Sequence, residues 1–172
     1  MSVKVAINGF GRIGRNILRG IIESSRTDIE VVAINDLGPV ETNAHLLQFD
    51  SVHGRFPLDV KVVEGGIHIG SRIIRVSSEK DPSDLLWSDV DVALECTGLF
   101  TERESAAHHL TNGSKRVLVS APSSGADKTV VFGVNDDLLT SEHLIVSNAS
   151  CTTNCLAPIA QVLHDSFRIK TG

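Results

Sequence analysis

A glycine-rich turn set between an apolar strand and a helix is the feature that most constrains this chain. Gly9, Gly11 and Gly14 form the pattern G-x-G-x-x-G. The pattern directly follows the apolar run Val3–Asn8 and begins a helical segment over residues 13–24. In a strand–turn–helix unit, the three glycines permit a tight turn, a close approach of the backbone to a pyrophosphate, and close contact between helix and strand. The pattern in this context predicts a dinucleotide-binding turn, the alternative being a purely structural turn.

Short apolar strands alternate with helical segments in the first part of the chain. Strands are predicted at Val3–Asn8 and 31–35, and helices at 13–24 and 40–49. This alternation is typical of a parallel sheet with helices on both faces. Between residues 58 and 76, glycine turns separate short apolar runs and predict antiparallel hairpins. We therefore expect an α/β fold: a Rossmann-type, doubly wound, mostly parallel sheet with a small antiparallel hairpin insertion.

Strand and helix signals alternate again after the hairpin region. Thr101 and Glu104 form a capping box, which predicts the start of a helix that reaches about residue 111. Further strands are predicted over residues 91–95, 116–120, 129–132 and 144–147. The last of these strands leads directly into a helix that begins at residue 151.

Two features near the glycine turn specify the ligand. The backbone N–H groups of Arg12 and Ile13 should point from the helix N-terminus towards a pyrophosphate. Asp36 ends the second predicted strand, 22 residues beyond Gly14, where a carboxylate can accept hydrogen bonds from ribose hydroxyls. Such a carboxylate repels a 2′-phosphate, so NAD is favoured over NADP. The alternative interpretation of Asp36 is a turn or helix-cap aspartate.

A cysteine in the first turn of the last predicted helix is a candidate nucleophile. Cys151 lies between Ser150 and Thr152, and apolar residues follow at helical spacing. A helix N-terminus offers unpaired N–H groups and the positive end of the helix dipole, which favour a thiolate over a thiol. A thiolate attacks carbonyl carbon efficiently. The alternative is an N-capped helix that contains a cysteine without a catalytic role.

The remaining cysteines and the histidines carry weaker signals. Cys155, one helical turn after Cys151, is predicted to be a small buried side chain beneath the nucleophile. Cys96 is predicted to pack within a strand. The cysteine pair has no further ligands in its neighbourhood, so no metal site is expected. The seven histidines are predicted to be surface or packing residues, and none stands out as a general base.

Composition excludes several classes of function. A formal net charge of −5 argues against a nucleic-acid surface, which needs a basic face. No apolar run approaches the roughly 20 residues of a membrane span, and no signal-peptide pattern opens the chain. Three cysteines do not form a disulfide framework, and reduced thiols fit a cytoplasmic protein.

Motifs along nearly the whole chain resemble the N-terminal half of the phosphorylating glyceraldehyde-3-phosphate dehydrogenase family. The segment Ser-Asn-Ala-Ser-Cys-Thr-Thr-Asn-Cys around Cys151 is the most specific of them, and the glycine pattern is the least specific. The matching segments, in family order and spacing, are residues 7–15, 32–36, 49–56, 78–82, 95–100, 120–122 and 147–158.

The resemblance implies a role for particular residues. Cys151 would be the catalytic nucleophile, and Ser150 and Thr152 would contact the substrate. Lys80 stands where many relatives carry arginine; it keeps the charge but lacks the planar fork that could bracket adenine. The cofactor NAD would be bound by Gly9, Gly11, Arg12, Ile13, Gly14, Asp36, Lys80, Thr97, Gly98 and Ser120.

The resemblance also implies a domain organisation. Residues 1–150 would form the NAD-binding Rossmann domain, and residues 151–172 would begin the catalytic domain, whose remainder is absent. The absent part should carry the activating histidine, the arginine of the anion sites and most of the subunit interface. We therefore expect a truncated form that is inactive alone, whereas the full-length cytoplasmic enzyme would be a homotetramer of glycolysis. Its substrates would be a triose phosphate and inorganic phosphate, without nucleic-acid or membrane partners.

Two alternatives and one physical consequence follow. Erythrose-4-phosphate dehydrogenase shares the cysteine signature, and a non-catalytic NAD-binding module would share the glycine turn. The last helix should expose an apolar face formed by Leu156, Ile159, Val162 and Leu163, because the sheet it would cover is absent. We expect rearrangement, self-association or high mobility of this helix.

Overall fold

The computed structural model describes residues 2–171, so Met1 and Gly172, at the outer ends of the two predicted domains, lie outside the described residues. Strands and helices alternate along the chain, with short 3-10 turns at Pro82–Asp84 and Asp136–Leu138. The elements are β1 (Val3–Asn8), α1 (Arg12–Glu23), β2 (Ile29–Asn35), α2 (Val40–Gln48), β3 (Phe49–Asp50), β4 (Gly54–Arg55), β5 (Val60–Val63), β6 (Gly66–Ile69), β7 (Arg72–Ser77), β8 (Val92–Glu95), α3 (Arg103–Ala106), α4 (His108–Thr111), β9 (Arg116–Val119), β10 (Lys128–Thr129), β11 (Ile145–Ser147) and α5 (Cys151–Phe167).

One large sheet organises the molecule, in the strand order β10-β11-β9-β8-β1-β2-β7-β6-β5. All pairs from β10 to β7 are parallel, whereas β5, β6 and β7 pair antiparallel. The chain builds the sheet outwards from β1 through β2 and β7, then returns to place β8 on the other side of β1. A ligand site is expected at such a reversal of strand order. The predicted α/β, doubly wound, mostly parallel fold is confirmed.

The hairpin region is attached to this sheet at its edge. β7 pairs in parallel with β2, and β6 and β5 then extend the same sheet through antiparallel pairs. A separate two-stranded antiparallel sheet, β3 with β4, follows α2. The predicted insertion therefore lengthens the main sheet, because β7 continues the parallel ladder before the chain leaves for β8.

Central strand β1 is buried on both faces. Val5 and Ile7 pack in one core cluster, together with Leu18 of α1 and Leu47 of α2. Ala6, between them in sequence, packs in a second cluster on the opposite face. Successive side chains of a strand point to opposite faces, so a strand that is apolar at every position requires cover on both sides. The two-faced core confirms that β1 is a central strand.

The helix predicted from the capping box differs in the structure. It is divided into the single-turn helices α3 and α4, and the N-cap of α3 is Glu102, without a capping side-chain hydrogen bond. The Arg103 N–H instead donates to the Ser124 carbonyl at 2.9 Å. A neighbouring loop thus satisfies the first N–H group of α3, whereas a capping box would have satisfied the N–H groups of Thr101 and Glu104. The capping-box prediction was wrong.

Helix α5 stands on the surface with its apolar side uncovered. It is continuous through Pro158 and, in the described part of the chain, buries none of its side chains. Leu156, Ile159, Val162 and Leu163 are 44–66% exposed, so the predicted apolar face is confirmed while the helix is not rearranged. Cys155 is also exposed, which corrects the prediction that it is buried. No helix within residues 2–171 combines the length and the apolar character needed to cross a membrane.

Two leucine substitutions test this distribution of burial. Leu47 is fully buried in the core, whereas Leu156 is 66% exposed on α5. Leu47→Ala should lower the free energy of unfolding by about 2–5 kcal/mol, because a cavity remains where the side chain packed. Leu156→Ala should change it by less than about 0.5 kcal/mol. Urea unfolding at low protein concentration measures both, and a similar loss for the two variants would contradict the described position of α5.

Candidate functional site

The predicted site residues follow the carboxyl ends of parallel strands. The glycine turn follows β1, Asp36 follows β2, and Thr97 lies just beyond β8. Ser120 follows β9, and Cys151 begins the helix after β11. Parallel strands end at the same edge of a sheet. The strand order reverses at β1, which has β2 on one side and β8 on the other, and such a reversal opens a crevice at that edge. The fold therefore brings residues from five separate parts of the sequence to one edge.

The three glycines of the turn meet different surroundings. Gly9 has φ +90°, and a Cβ there would lie 2.8 Å from the Thr97 nitrogen. A Cβ on Gly14 would lie 2.3 Å from the Gly9 carbonyl oxygen. A Cβ on Gly11 would meet no heavy atom within 4 Å. Two glycines are therefore required by packing, whereas the space beside Gly11 is open and fits the close approach of a pyrophosphate.

The N-terminus of α1 presents free donors to that open space. Gly11 is the N-cap residue, and as a glycine it has no side chain that could make a capping hydrogen bond to the first N–H groups of α1. The first N–H groups of a helix, here those of Arg12 and Ile13, have no partner within the helix. Together with the positive end of the helix dipole, they suit an anionic ligand.

The Arg12 side chain turns away from these donors. Its Nη1 forms a salt bridge with the Asp50 carboxylate at 3.0 Å. The backbone N–H groups of His53 and Val52, and then Arg12 itself, hold the pKa of Asp50 well below its usual range. The backbone of Arg12 thus faces the groove, while its guanidinium ties α1 to the β3–β4 hairpin.

Asp36 is held in one orientation at the end of β2. Its Oδ2 accepts the Phe10 N–H at 2.7 Å, and its Oδ1 accepts the Gly38 N–H at 2.8 Å and the Asn43 amide at 3.1 Å. A carboxylate has about four lone-pair sites, so about one remains to accept a hydrogen bond from a hydroxyl group of a ligand. The bond from Phe10 places this carboxylate directly beside the glycine turn.

Two connected clefts contain most of the predicted residues. The first, of about 280 Å³, is lined by Gly9, Gly11, Asp36, Lys80 and Thr97, together with Asn8, Asn35, Leu37, Glu79, Cys96, Leu99 and Phe100. The second, of about 390 Å³, is lined by Ile13, Ser120, Ser150 and Cys151, together with Ile17, Leu94, Cys96, Leu118, Asn148, Ala149 and Asn154. Cys96 lines both, so the cleft at Asp36 and the cleft at the candidate nucleophile are neighbours.

The start of α5 directs Cys151 into the second cleft. Ser150 is the N-cap residue, and its Oγ accepts the Thr153 N–H at 2.9 Å. The preceding Ala149 is buried and has φ 57°, a left-handed conformation that is strained for a residue with a Cβ. The Ser147 hydroxyl accepts the Ala149 N–H at 3.1 Å and stabilises this turn. Strained backbone often marks a functional site, and here it aims the first turn of α5.

Some predicted residues lie beside the clefts instead of on their walls. Gly98 forms a turn at φ +75° next to Thr97. Thr152 is exposed, and its hydroxyl lies 2.9 Å from that of Ser150. Gly14 is buried under the glycine turn, and the Arg12 side chain contacts Asp50.

Sequence reasoning missed the polar residues beneath the first cleft. Asn8 and Asn35 each end an apolar strand, and both are buried. The sequence signal that could have identified them is a polar residue at the end of an apolar run, because buried amides require hydrogen-bond partners.

Cys96 was predicted to pack within a strand, but it follows β8 and is partly buried. Burial raises the pKa of its thiol to about 11, against a smaller opposing effect of the Ser120 hydroxyl, and this disfavours its thiolate form.

Two family models match the chain. Residues 3–103 match the NAD binding domain of glyceraldehyde 3-phosphate dehydrogenase. Residues 150–172 match the C-terminal domain of the same enzyme. The first match includes the glycine turn and Asp36, and the second begins at the N-cap of α5. The cofactor of the matched domain is NAD, as the glycine turn and Asp36 predicted.

Curated relatives match over the whole chain. Glyceraldehyde-3-phosphate dehydrogenase of Xanthobacter flavus is 68% identical, and the match covers 100% of this chain and 52% of the relative. The enzymes of Cereibacter sphaeroides and Pseudomonas aeruginosa are 64% and 53% identical, with the same shares covered. The chain thus spans about half the length of the curated relatives it matches. With a glycine turn, a strand-end aspartate and a cysteine in the first turn of a helix at one sheet edge, and with these matches, the chain belongs to the glyceraldehyde-3-phosphate dehydrogenase family.

Proposed function

We propose that this chain is the cofactor-binding part of a phosphorylating glyceraldehyde-3-phosphate dehydrogenase, joined to the helix that carries its nucleophile. Residues 1–150 form the NAD-binding domain, and residues 151–172 begin the catalytic domain. The observation that supports this most is that Cys96 lines both clefts, so that the cleft at Asp36 lies next to the cleft at Cys151. A redox cofactor and a nucleophile can cooperate only when their reacting atoms reach the same space.

The cofactor is held by backbone groups and by one carboxylate. The N–H groups of Arg12 and Ile13 bind the pyrophosphate beside Gly11, and Asp36 accepts the ribose hydroxyls. The remaining contacts are proposed for Gly9, Gly14, Lys80, Thr97, Gly98 and Ser120. When bound, NAD supplies the acceptor for a hydride.

Cys151 carries the covalent chemistry. Its thiolate attacks the aldehyde carbon of glyceraldehyde 3-phosphate, and the carbonyl oxygen takes up a proton to give a hemithioacetal. Loss of the hydroxyl proton and of a hydride leaves a thioester on Cys151. Inorganic phosphate then attacks the thioester carbon, releases the thiolate and forms 1,3-bisphosphoglycerate. A thiol suits both halves, since it is a strong nucleophile and a good leaving group.

Ser150 and Thr152 flank the nucleophile and are proposed to contact the substrate. Oxidation of the hemithioacetal needs a general base. Within the described residues, the walls of the two clefts contain no histidine. We therefore propose that the base comes from a longer polypeptide and that this chain alone is inactive. The three cysteines are free, as in proteins of reducing compartments, and we propose the cytoplasm as its location.

Cofactor titration of Gly11→Ala tests the groove. The new Cβ meets no protein atom within 4 Å, so the variant should fold normally, but it occupies the space proposed for the pyrophosphate. By calorimetry, the NAD affinity should fall about tenfold or more, a loss of at least about 1.4 kcal/mol. Wild-type protein should bind NADP about tenfold more weakly than NAD, because Asp36 repels the 2′-phosphate.

Gly20→Ala is the matched control for this titration. Gly20 lies in α1, the helix that Gly11 directly precedes. A Cβ on Gly20 would also meet no heavy atom within 4 Å, and Gly20 lines neither cleft. It should bind NAD as the wild type does. Unchanged NAD affinity in Gly11→Ala would show that the pyrophosphate lies elsewhere, and failure of the wild type to bind NAD would reject the proposed function.

Alkylation rates test the role assigned to Cys151. Iodoacetamide at pH 8 should label exposed Cys151 and Cys155 long before Cys96, whose thiolate fraction is about one in a thousand at a pKa of about 11. NAD should slow the labelling of Cys151, which lines the cleft, and leave Cys155 unchanged. Peptide mass spectrometry measures each rate. Equal protection of both helix cysteines would count against a cofactor that reaches Cys151.

Self-association is proposed for this chain through the apolar face of α5, and tetramer formation for the longer enzyme. Unpaired apolar surface of this kind favours association. Sedimentation velocity should show dimers or larger species at protein concentrations on the order of tens of micromolar, the range expected for a weak interface with a micromolar dissociation constant. Val162→Glu, on the face, should give monomers. Leu86→Glu, at a leucine that is 89% exposed outside α5, should associate as the wild type does. A monomeric wild type would contradict this part of the proposal.

A further inference from the structure

A row of buried and half-buried polar side chains runs along the carboxyl edge of the sheet, at the base of the first cleft. The Ser77 hydroxyl donates to Asn35 Oδ1 at 2.9 Å, and Asn35 Nδ2 donates to Asn8 Oδ1 at 2.8 Å. Asn8 Nδ2 donates to Glu95 Oε2 at 2.7 Å. The same oxygen lies 2.8 Å from Nε2 of His109. The row crosses four neighbouring strands and ends on α4.

This row holds the segments that form the walls of the cleft. Asn35 accepts the Glu79 N–H and donates to the Glu79 carbonyl, both at 2.8 Å. Glu95 Oε1 accepts the Thr97 N–H at 2.8 Å and also the Thr97 hydroxyl. Asn8 directly precedes Gly9, the glycine that packs against Thr97. A single carboxylate, that of Glu95, therefore ties the glycine turn to the opposite wall.

Glu95 depends on its donors because water does not reach it. The side chains of Glu95 and His109 are both fully buried. A buried carboxylate is costly unless hydrogen bonds satisfy its oxygens. Since Asn8 and Thr97 are backbone-anchored parts of the groove, His109 is the partner of Glu95 that lies outside it. Its hydrogen bond helps to keep the carboxylate where both walls can use it.

His109 has little else to contact with its polar atoms. Its ring stacks on Trp87 at a centroid distance of 5.4 Å and an interplanar angle of 8°, which fixes the plane of the imidazole. Its Nδ1 is buried and has no hydrogen-bond partner among the described residues. The unsatisfied nitrogen is a cost that an apolar residue in this position would avoid. Within residues 2–171, the polar contact of the ring that offsets this cost is the hydrogen bond to Glu95.

We propose that His109 is a positioning residue for the dinucleotide groove: by donating Nε2–H to Glu95, it fixes the distance between the glycine turn and the Thr97 wall. It touches no cofactor and acts through Glu95. The inference rests on the proposed cofactor site and adds a residue outside both clefts that determines how well NAD is bound.

Two substitutions separate the hydrogen bond from simple packing. His109→Leu removes the donor, whereas His109→Gln places an amide donor where Nε2 lies. For the 172-residue chain, the NAD dissociation constant should rise about tenfold in His109→Leu, within the usual range of such couplings. It should stay within about threefold of the wild type in His109→Gln. Calorimetry is done well below the melting temperature of each variant.

His108→Leu is the matched control. His108 neighbours His109 in α4, but it is exposed and contacts Asp81 at the surface. Its NAD affinity should equal that of the wild type. If His109→Leu does not fold, Glu95→Gln takes its place, since it keeps the shape of the side chain and removes the charge that attracts the donors. The same tenfold loss is expected.

Each outcome decides between the interpretations. An NAD affinity near that of the wild type in His109→Gln, together with a tenfold loss in His109→Leu, supports the positioning role. Wild-type affinity in His109→Leu, or in Glu95→Gln where that variant replaces it, overturns the inference and leaves the proposed function intact. Equal losses in the leucine and glutamine variants overturn it as well, because shape would then matter and the hydrogen bond would not. Absence of NAD binding by the wild type would reject the proposed function itself.

Discussion

The close backbone packing after β1 is the constraint on which the rest of the structure depends. A Cβ on Gly14 would lie 2.3 Å from the Gly9 carbonyl oxygen, and a Cβ on Gly9 would lie 2.8 Å from the Thr97 nitrogen. Because glycine has no side chain at either position, α1 can approach β1 directly. The N-terminus of α1 then points at the crevice between β1 and β8. That approach leaves the open space beside Gly11, where we propose that the pyrophosphate binds.

The same packing continues across the sheet towards the candidate nucleophile. The loop at Thr97 that meets Gly9 is held by Glu95, and the next residue, Cys96, lines both clefts. The cysteine helix reaches this place because β11 ends at the same edge and a strained turn at Ala149 redirects the chain. A parallel sheet therefore brings together what no single segment contains: the free N–H groups at the N-terminus of α1 and a thiol in the first turn of α5.

Much of this could be predicted from local patterns. The central strand β1, helix α1 and the turn between them were predicted almost to the residue, because apolar periodicity and glycine spacing are properties of neighbouring residues. The capping box predicted at Thr101 is absent from the described residues. Helix α3 begins at Arg103, whose N–H donates to the carbonyl of Ser124 in a loop that is distant in the sequence. Cys155 was also misplaced: its burial depends on a partner surface for α5, which the described residues do not supply.

The sequence by itself determined the strand–turn–helix unit, the aspartate at the end of the second strand, and the cysteine in the first turn of a helix, because each depends on residues close together in the chain. Only the tertiary structure decided that β5, β6 and β7 extend the main sheet, that Cys96 joins two clefts, and that His109 reaches Glu95 under the groove. These features depend on contacts between distant segments. Their side chains show no periodicity or spacing before the fold brings them together.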